Sequence, residues 1–344
     1  SSRSGDGRAP ARVPTGWERA MGGLPSYQDL PAVEGKPPRS SWGLWGDADR
    51  CGALNLLDES AALRGTAAVR RGAVFNLNLE MELPGPPLYG RSAFVHHVRG
   101  AGVSMDDEIS NWNTQGSSQW DGFRHVRHVV HGYYGGLDST EHGMQHWARR
   151  GIVGRGVLAD VGRWRQSQGR AIRCGDPDII EVSDVAATLA AAGVSVEIGD
   201  ILLIRTGWVS WYRSLDEAGR RAQAERRVGP SCGLRPSEAT AEFLWDLHIA
   251  AVASDNPAFE VTPFGGLEDP LAMSAAFRDP VRGPETFLHF RLLSLLGIPI
   301  GELWDLDALA DDCADDGVCQ FLITSAPLNL HAGVGSPANA IAVK

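Results

Sequence analysis

The chain has 344 residues, of which 43% are hydrophobic and 22% charged, and its formal net charge is −10 at pH 7. That length suits one large α/β domain or two to three smaller ones with ample core, while the negative charge argues against nonspecific binding to nucleic acid or an anionic membrane. No run approaches the ~18 apolar residues of a spanning helix, and five scattered cysteines without a CxxC pair fit a reducing compartment, so the expectation is a cytoplasmic protein.

Residues 1–41 are rich in Gly, Pro, Ser and Arg and lack periodicity. They read as an N-terminal arm, extended or partly disordered, ahead of a single domain over 42–344. DESAALRGTAAVRR (58–71) predicts a helix with Asp58 as its N-cap and Gly72 past its end. AVFNLNLEMEL (73–83) alternates apolar and polar residues and predicts a half-buried strand.

Further along, Val157–Val161 predicts a buried strand, SDVAATLAAAG (183–193) a capped helix, and Ile201–Ile204 a core strand. PSEATAEFLWDLHIAAVASDNP (236–257) reads as a helix, a tight turn and an apolar strand at Ile249–Ala253. TFLHFRLLSLLG (286–297) predicts a helix stopped by Gly297, and FLITSAPLNL (321–330) another core strand. Helices interspersed with apolar strands, without a repeat, indicate a mixed α/β (α+β) fold.

Two groups of residues could carry chemistry. In SSQWDGFRHVRHVVHG (117–132), an extended backbone puts Gln119, Asp121 and His125 on one face, with Gln115 just upstream. The same stretch also reads as a solvated polar strand, and its face alone does not decide between them. Likewise, His289 and Glu302 come together if the chain reverses through Gly297 and Pro299, either as part of a metal shell or as ordinary packing and capping. His142 and His146, four apart, share a helical face without an HExxH frame. There is no GxSxG elbow, no P-loop and no Rossmann glycine frame, so serine nucleophiles and nucleotide phosphates are poor readings.

Taken with WGDADRCGALNLL (45–57), HGMQHWARRGIVGRGVLADV (142–161), GDILLIRTGW (199–208), LLSLLGIPIGELWDLDALA (292–310) and SAPLNLHAGVGSPANAIA (325–342), the stretch QGSSQWDGFRH (115–125) resembles the HxGTHxDxPxH signature of one family. That family comprises metal-dependent hydrolases and "cyclases" grouped with bacterial kynurenine formamidase and isatin hydrolase. The resemblance implies a swivelling β/β/α domain and a homodimer or homotetramer. It implies a metal shell on Gln115, Gln119, Asp121, His289 and Glu302, with His125 as general acid/base. It further implies a metal-assisted hydrolase that opens an amide, formamide or lactone bond of a small cyclic or aromatic substrate, which Trp120 and Phe123 would flank.

Two signature histidines are glutamines here, Gln115 and Gln119, and the signature proline is Phe123. Amide oxygen is a harder, weaker ligand than imidazole, which moves the expected divalent ion from Zn²⁺ toward Mn²⁺ or leaves the site metal-free. A metal-free cyclase or dehydratase using the same pocket is therefore the alternative, and a catalytically silent binding protein the third reading.

Overall fold

A computed structural model describes residues 23–226 and 228–344. In chain order its strands are β1 (Val74–Asn76), β2 (Val95–Arg99), β3 (Asp106–Ser110), β4 (Gln119–Asp121) and β5 (Ile152–Asp160). They continue as β6 (Ile179–Ile180), β7 (Ile201–Arg205), β8 (Gly233–Leu234) and β9 (Ala251–Ser254), then β10 (Ile300–Glu302), β11 (Gln320–Ser325), β12 (Gly335–Pro337) and β13 (Ala340–Val343). Nine of them form one sheet in the order β1-β13-β11-β5-β7-β9-β10-β4-β12. The centre, β5-β7-β9-β10, is parallel. Antiparallel strands flank it on both sides.

This arrangement follows from the sequence. ILLI in β7 and AVAS in β9 are buried throughout, as parallel strands covered on both faces must be. The β5–β7 connection carries helices Val161–Ser167 and Val182–Ala191, and the β7–β9 connection carries Trp208–Ser214, Glu217–Glu225 and Glu238–Asp246. The mixed α/β class expected from sequence is the class observed. Of the expected arm, residues 1–22 lie outside the described residues. The following segment packs on the domain, with Tyr27 and Leu30 buried and the Tyr27 amide donating to Asp246 Oδ1 at 2.7 Å.

Several expected elements are shorter than their patterns. The helix capped by Asp58 spans Glu59–Ala67, and Asp58 accepts from the Ala61 amide. Of the alternation expected over 73–83, Leu77 and Leu79 are buried but Met81 is exposed, and the strand ends at Asn76. Beyond it, Asn78 bonds Ala340 through its own side chain at both amide and oxygen, substituting for the ladder. His142 and His146 share no helix: His142 precedes the helix Met144–Arg150 and its Nε2 contacts the Tyr134 carbonyl.

The helix expected over 286–297 is the largest departure. A short helix, Gly283–Thr286, breaks at Phe287, and a π-helix, Phe290–Leu296, follows. The break coincides with Glu260, whose Oε1 captures the Leu288 amide at 2.9 Å. Gly297 ends the segment as expected, with φ +62°. A Cβ there would also lie 2.5 Å from the Tyr134 ring, so only glycine makes this turn.

Candidate active site

β4 and β10 are antiparallel neighbours in which Gln119 lies opposite Glu302 and Asp121 opposite Ile300. Alternation puts Gln119, Asp121 and Glu302 on one face, and Gln119 Nε2 donates to Glu302 Oε2 at 2.6 Å. Gln115 enters from the turn before β4, where its side-chain amide donates to both Asp121 Oδ1 and, at 3.1 Å, His125 Nδ1. On the next strand, Gly335 of β12 faces Asp121, and a Cβ at Gly335 would lie 2.6 Å from Gln115 Cγ. The glycine of the GVGSPANA tail thus makes room for a site residue.

His289, just ahead of the π-helix, completes the cluster. Its Nδ1 lies 2.9 Å from Glu260 Oε2, and its Nε2 lies 3.2 Å from Glu302 Oε1 and 3.5 Å from Asp121 Oδ2. A carboxylate behind Nδ1 orients the ring so that Nε2 faces the site, the usual arrangement behind a metal-binding histidine. Phe287 stacks flat on the same ring at 4.4 Å. Asp121, Glu260, Glu302 and His289 are all at least 95% buried.

The electrostatics follow from crowding three buried carboxylates around one imidazole. Burial alone disfavours a charged His289, but Glu260, Asp121 and Glu302 outweigh it and raise its pKa well above the ordinary value. Glu302 is pushed up to about 7, by burial first and then by the charge of Asp121. Burial also opposes ionisation of Asp121, yet the facing imidazoles of His125 and His289 bring it down to about 2. Because burial holds the His125 pKa down against the pull of Asp121, the cation opposite Asp121 at neutral pH is His289. Arg91 adds a second positive charge that acts on both Asp121 and Glu302.

Two buried oxygens, Gln119 Oε1 and Asp121 Oδ2, make no hydrogen bond, the latter lying 3.5 Å from His289 Nε2. Leaving a buried acceptor unpaired costs about 1–3 kcal/mol, and a cation removes that cost. Ligand atoms of Asp121, His125 and His289 also fall within 4.8 Å of one another. The residues fit a divalent ion.

His125 is positioned differently from the strand expected over 119–125. β4 stops at Asp121, and a turn closed by the His125 amide on the Gly122 carbonyl, 2.8 Å, swings the ring back toward Asp121. Its Nε2 is 3.8 Å from Asp121 Oδ1 and its side chain is 27% exposed, the most open group of the cluster.

The two expected substrate-flanking aromatics are corrected. Trp120 points to the opposite face of β4, fully buried against Trp304 at 4.9 Å, with Nε1 donating to Ser325 Oγ. Phe123 sits in the core between Tyr134 and Trp147. Both obey the alternation and turn that aim Asp121 and His125 inward.

Sequence reasoning missed Glu260, Tyr89 and Arg91. Tyr89 adopts φ +60° in the Pro-rich loop, and its hydroxyl pKa is raised by burial first and then by Glu302, Glu260 and Asp121. Arg91 holds the Gln115 carbonyl. A non-glycine residue held at positive φ is a strain signal visible only in the structure.

His128 and His131 are outside the cluster. His128 Nδ1 accepts the Val130 and His131 amides, each at 3.2 Å, and its ring stacks on His131. Burial, then the neighbouring His131 and Arg291, lowers its pKa to about 4. Between about 4 and the unfolded value of ~6.5 the unfolded chain binds the extra proton, so this contribution to stability is present above ~6.5 and is lost as pH falls toward 4. Urea unfolding should show wild type losing on the order of 3 kcal/mol more than His128→Asn over that window; parallel pH profiles would refute the assignment.

The family model described as "Putative cyclase" matches residues 61–261, more than half of the chain. Among solved structures, a novel cyclase is 30% identical over 89% of this chain and 99% of its own, with a TM-score of 0.74. Isatin hydrolase A from Ralstonia solanacearum is 15% identical, covering 83% of this chain and 95% of its own, with a TM-score of 0.55. An isatin hydrolase bound to the product analogue thioisatinate is 17% identical, covering 83% and 98%, with a TM-score of 0.53. The latter two share the fold. No curated protein matches the chain. Among the described residues, no helix is long and apolar enough to cross a membrane.

Proposed function

The chain belongs to the cyclase family, and from that membership we propose that it is an enzyme, a metal-assisted hydrolase opening an amide, formamide or lactone bond of a small cyclic or aromatic substrate. The observation that carries this reading is the convergence of Asp121, His289 and Glu302 around two buried oxygens, Gln119 Oε1 and Asp121 Oδ2, that make no hydrogen bond. Asp121, Glu302 and His289, the last after giving up its Nε2 proton, would hold a divalent ion together with Gln115 and Gln119, Mn²⁺ in preference to Zn²⁺ given two amide ligands. Such an ion, when bound, polarises a carbonyl and makes water nucleophilic at neutral pH.

The chain's own groups supply the rest. Glu260 fixes the His289 ring through Nδ1. His125, kept neutral by burial, takes the proton of the attacking water and returns it to the departing nitrogen or oxygen. Gln115 donates to both Asp121 and His125 Nδ1, so the neutral ring keeps its own proton on Nε2 and Nδ1 accepts the water's proton once Gln115 yields that contact. Asp121, 3.8 Å from Nε2, stabilises the imidazolium that forms.

One observation favours a second reading. Both glutamine amides already donate to carboxylates, Gln115 to Asp121 and Gln119 to Glu302. A hydrogen-bonded network of this kind also serves a metal-free cyclase or dehydratase that needs only acid/base groups in a dry cavity. Elemental analysis of the purified protein separates the two. The hydrolase reading expects close to one equivalent of divalent ion, with turnover lost on chelation and restored most strongly by Mn²⁺. Full turnover of metal-free protein selects the second reading.

A further inference from the structure

Arg91 is a half-buried cation beside the cluster that has no carboxylate of its own. One guanidinium N–H donates to the Gln115 carbonyl, and the guanidinium lies over the Tyr89 ring at 5.2 Å. Among the described residues, no carboxylate oxygen comes within 4.0 Å of it. Yet its charge acts on Asp121, Glu302 and His125. It stands near three members of the cluster and pairs with none of them.

That position is built. Tyr89 takes φ +60° beneath the guanidinium, and its hydroxyl donates to the Pro257 carbonyl at 3.2 Å. Backbone strain of this kind persists only where the surroundings enforce it. Gln115, whose carbonyl holds Arg91, sends its side-chain amide to Asp121 and His125 Nδ1. The cation is thereby fixed on the residue that also orients the proposed base. A guanidinium carries about five N–H donors in a planar fork, and the described residues occupy one of them. Donors left over in that geometry match the two oxygens of a carboxylate. An acyl oxygen that gains negative charge among buried carboxylates also needs a cation facing it.

We propose that Arg91 binds the acyl oxygen of the bond being opened and then the carboxylate which that group becomes. The inference rests on the hydrolase reading above. As water adds to the acyl carbon and gives one proton to His125, the carbonyl π pair moves onto the oxygen that Arg91 faces. Return of that pair breaks the bond to the departing nitrogen or oxygen, which takes the proton from His125. The acid so formed ionises, and the fork holds its two oxygens in parallel. An organic carboxylate should therefore bind where its neutral amide does not.

Benzoate and benzamide present the same ring with a charged and a neutral head, and calorimetric titration of the full chain in excess Mn²⁺ compares them. Wild type should prefer benzoate at least about tenfold, the effect of one charge-assisted hydrogen bond. Arg91→Met should erase that preference. Arg91→Lys, which keeps the charge and loses the fork, should retain part of it. Mn²⁺ affinity and thermal unfolding should stay close to wild type in both variants. A wild type without the preference at concentrations on the order of 10 mM, or a preference that survives in Arg91→Met, would overturn the proposal. So would a loss of benzoate binding matched by a loss of Mn²⁺, since Arg91 would then only brace Gln115. A chain that takes up no divalent ion fails the hydrolase reading instead, and the same titration on metal-free protein still decides the role of Arg91.

Discussion

Replacing His125 by alanine is expected to lower kcat roughly 10²–10⁴-fold, the usual worth of a positioned acid/base group, while one equivalent of divalent ion still binds. The expectation rests on position. His125 is the most exposed member of the cluster, its contacts are to Gln115 and Asp121, and its partial burial lowers its pKa, which favours the neutral ring that can accept a proton. Its ring nitrogen is also close enough to Asp121 and His289 to be a ligand, so metal titration and turnover must be measured on the same variant. Loss of turnover with metal retained identifies the base. Loss of both moves His125 into the metal shell, and unchanged turnover removes it from the chemistry.

The second large effect is expected at Asp121→Asn, which preserves shape and removes one charge. Asp121 is fully buried, faces both imidazoles and carries an oxygen that makes no hydrogen bond. If that oxygen is a metal ligand, affinity for Mn²⁺ should fall by more than the roughly 10–100-fold seen for residues that only support a ligand, and turnover should fall with it. The Gln115 amide then faces a carboxamide in place of a carboxylate, so thermal unfolding serves as the control for folding. Calorimetric titration giving wild-type affinity would exclude Asp121 from the shell.

Much of the site was legible because strands obey a period of two. Gln119 and Asp121 share a face for that reason, and the same rule turns Trp120 away into the core. Reading Trp120 as a substrate wall ignored the alternation that placed its neighbours. His125 does join Asp121 as expected, but by a turn: the chain leaves the strand at Asp121, which sends Phe123 into the core, and a Gly-Phe-Arg-His turn carries no periodic signal. The meeting of His289 with Glu302 followed from a reversal marked by Gly297 and Pro299. The π-winding and the break at Phe287 did not, because they depend on Glu260 taking the Leu288 amide from a distant loop.

By itself, the sequence determined the mixed α/β class, the buried parallel strands, the helix started by Asp58 and the pairing of Gln119 with Asp121 on one face. Each depends on neighbours within a few residues, whose side chains and dihedral preferences act locally. Tertiary structure alone decided that Glu260 stands behind His289, that Gly335 yields space to Gln115, and that Tyr89 is held at positive φ beside three carboxylates. Those contacts join residues far apart in the chain, and their energies come from burial, charge crowding and unpaired oxygens that exist only once the sheet has closed around them.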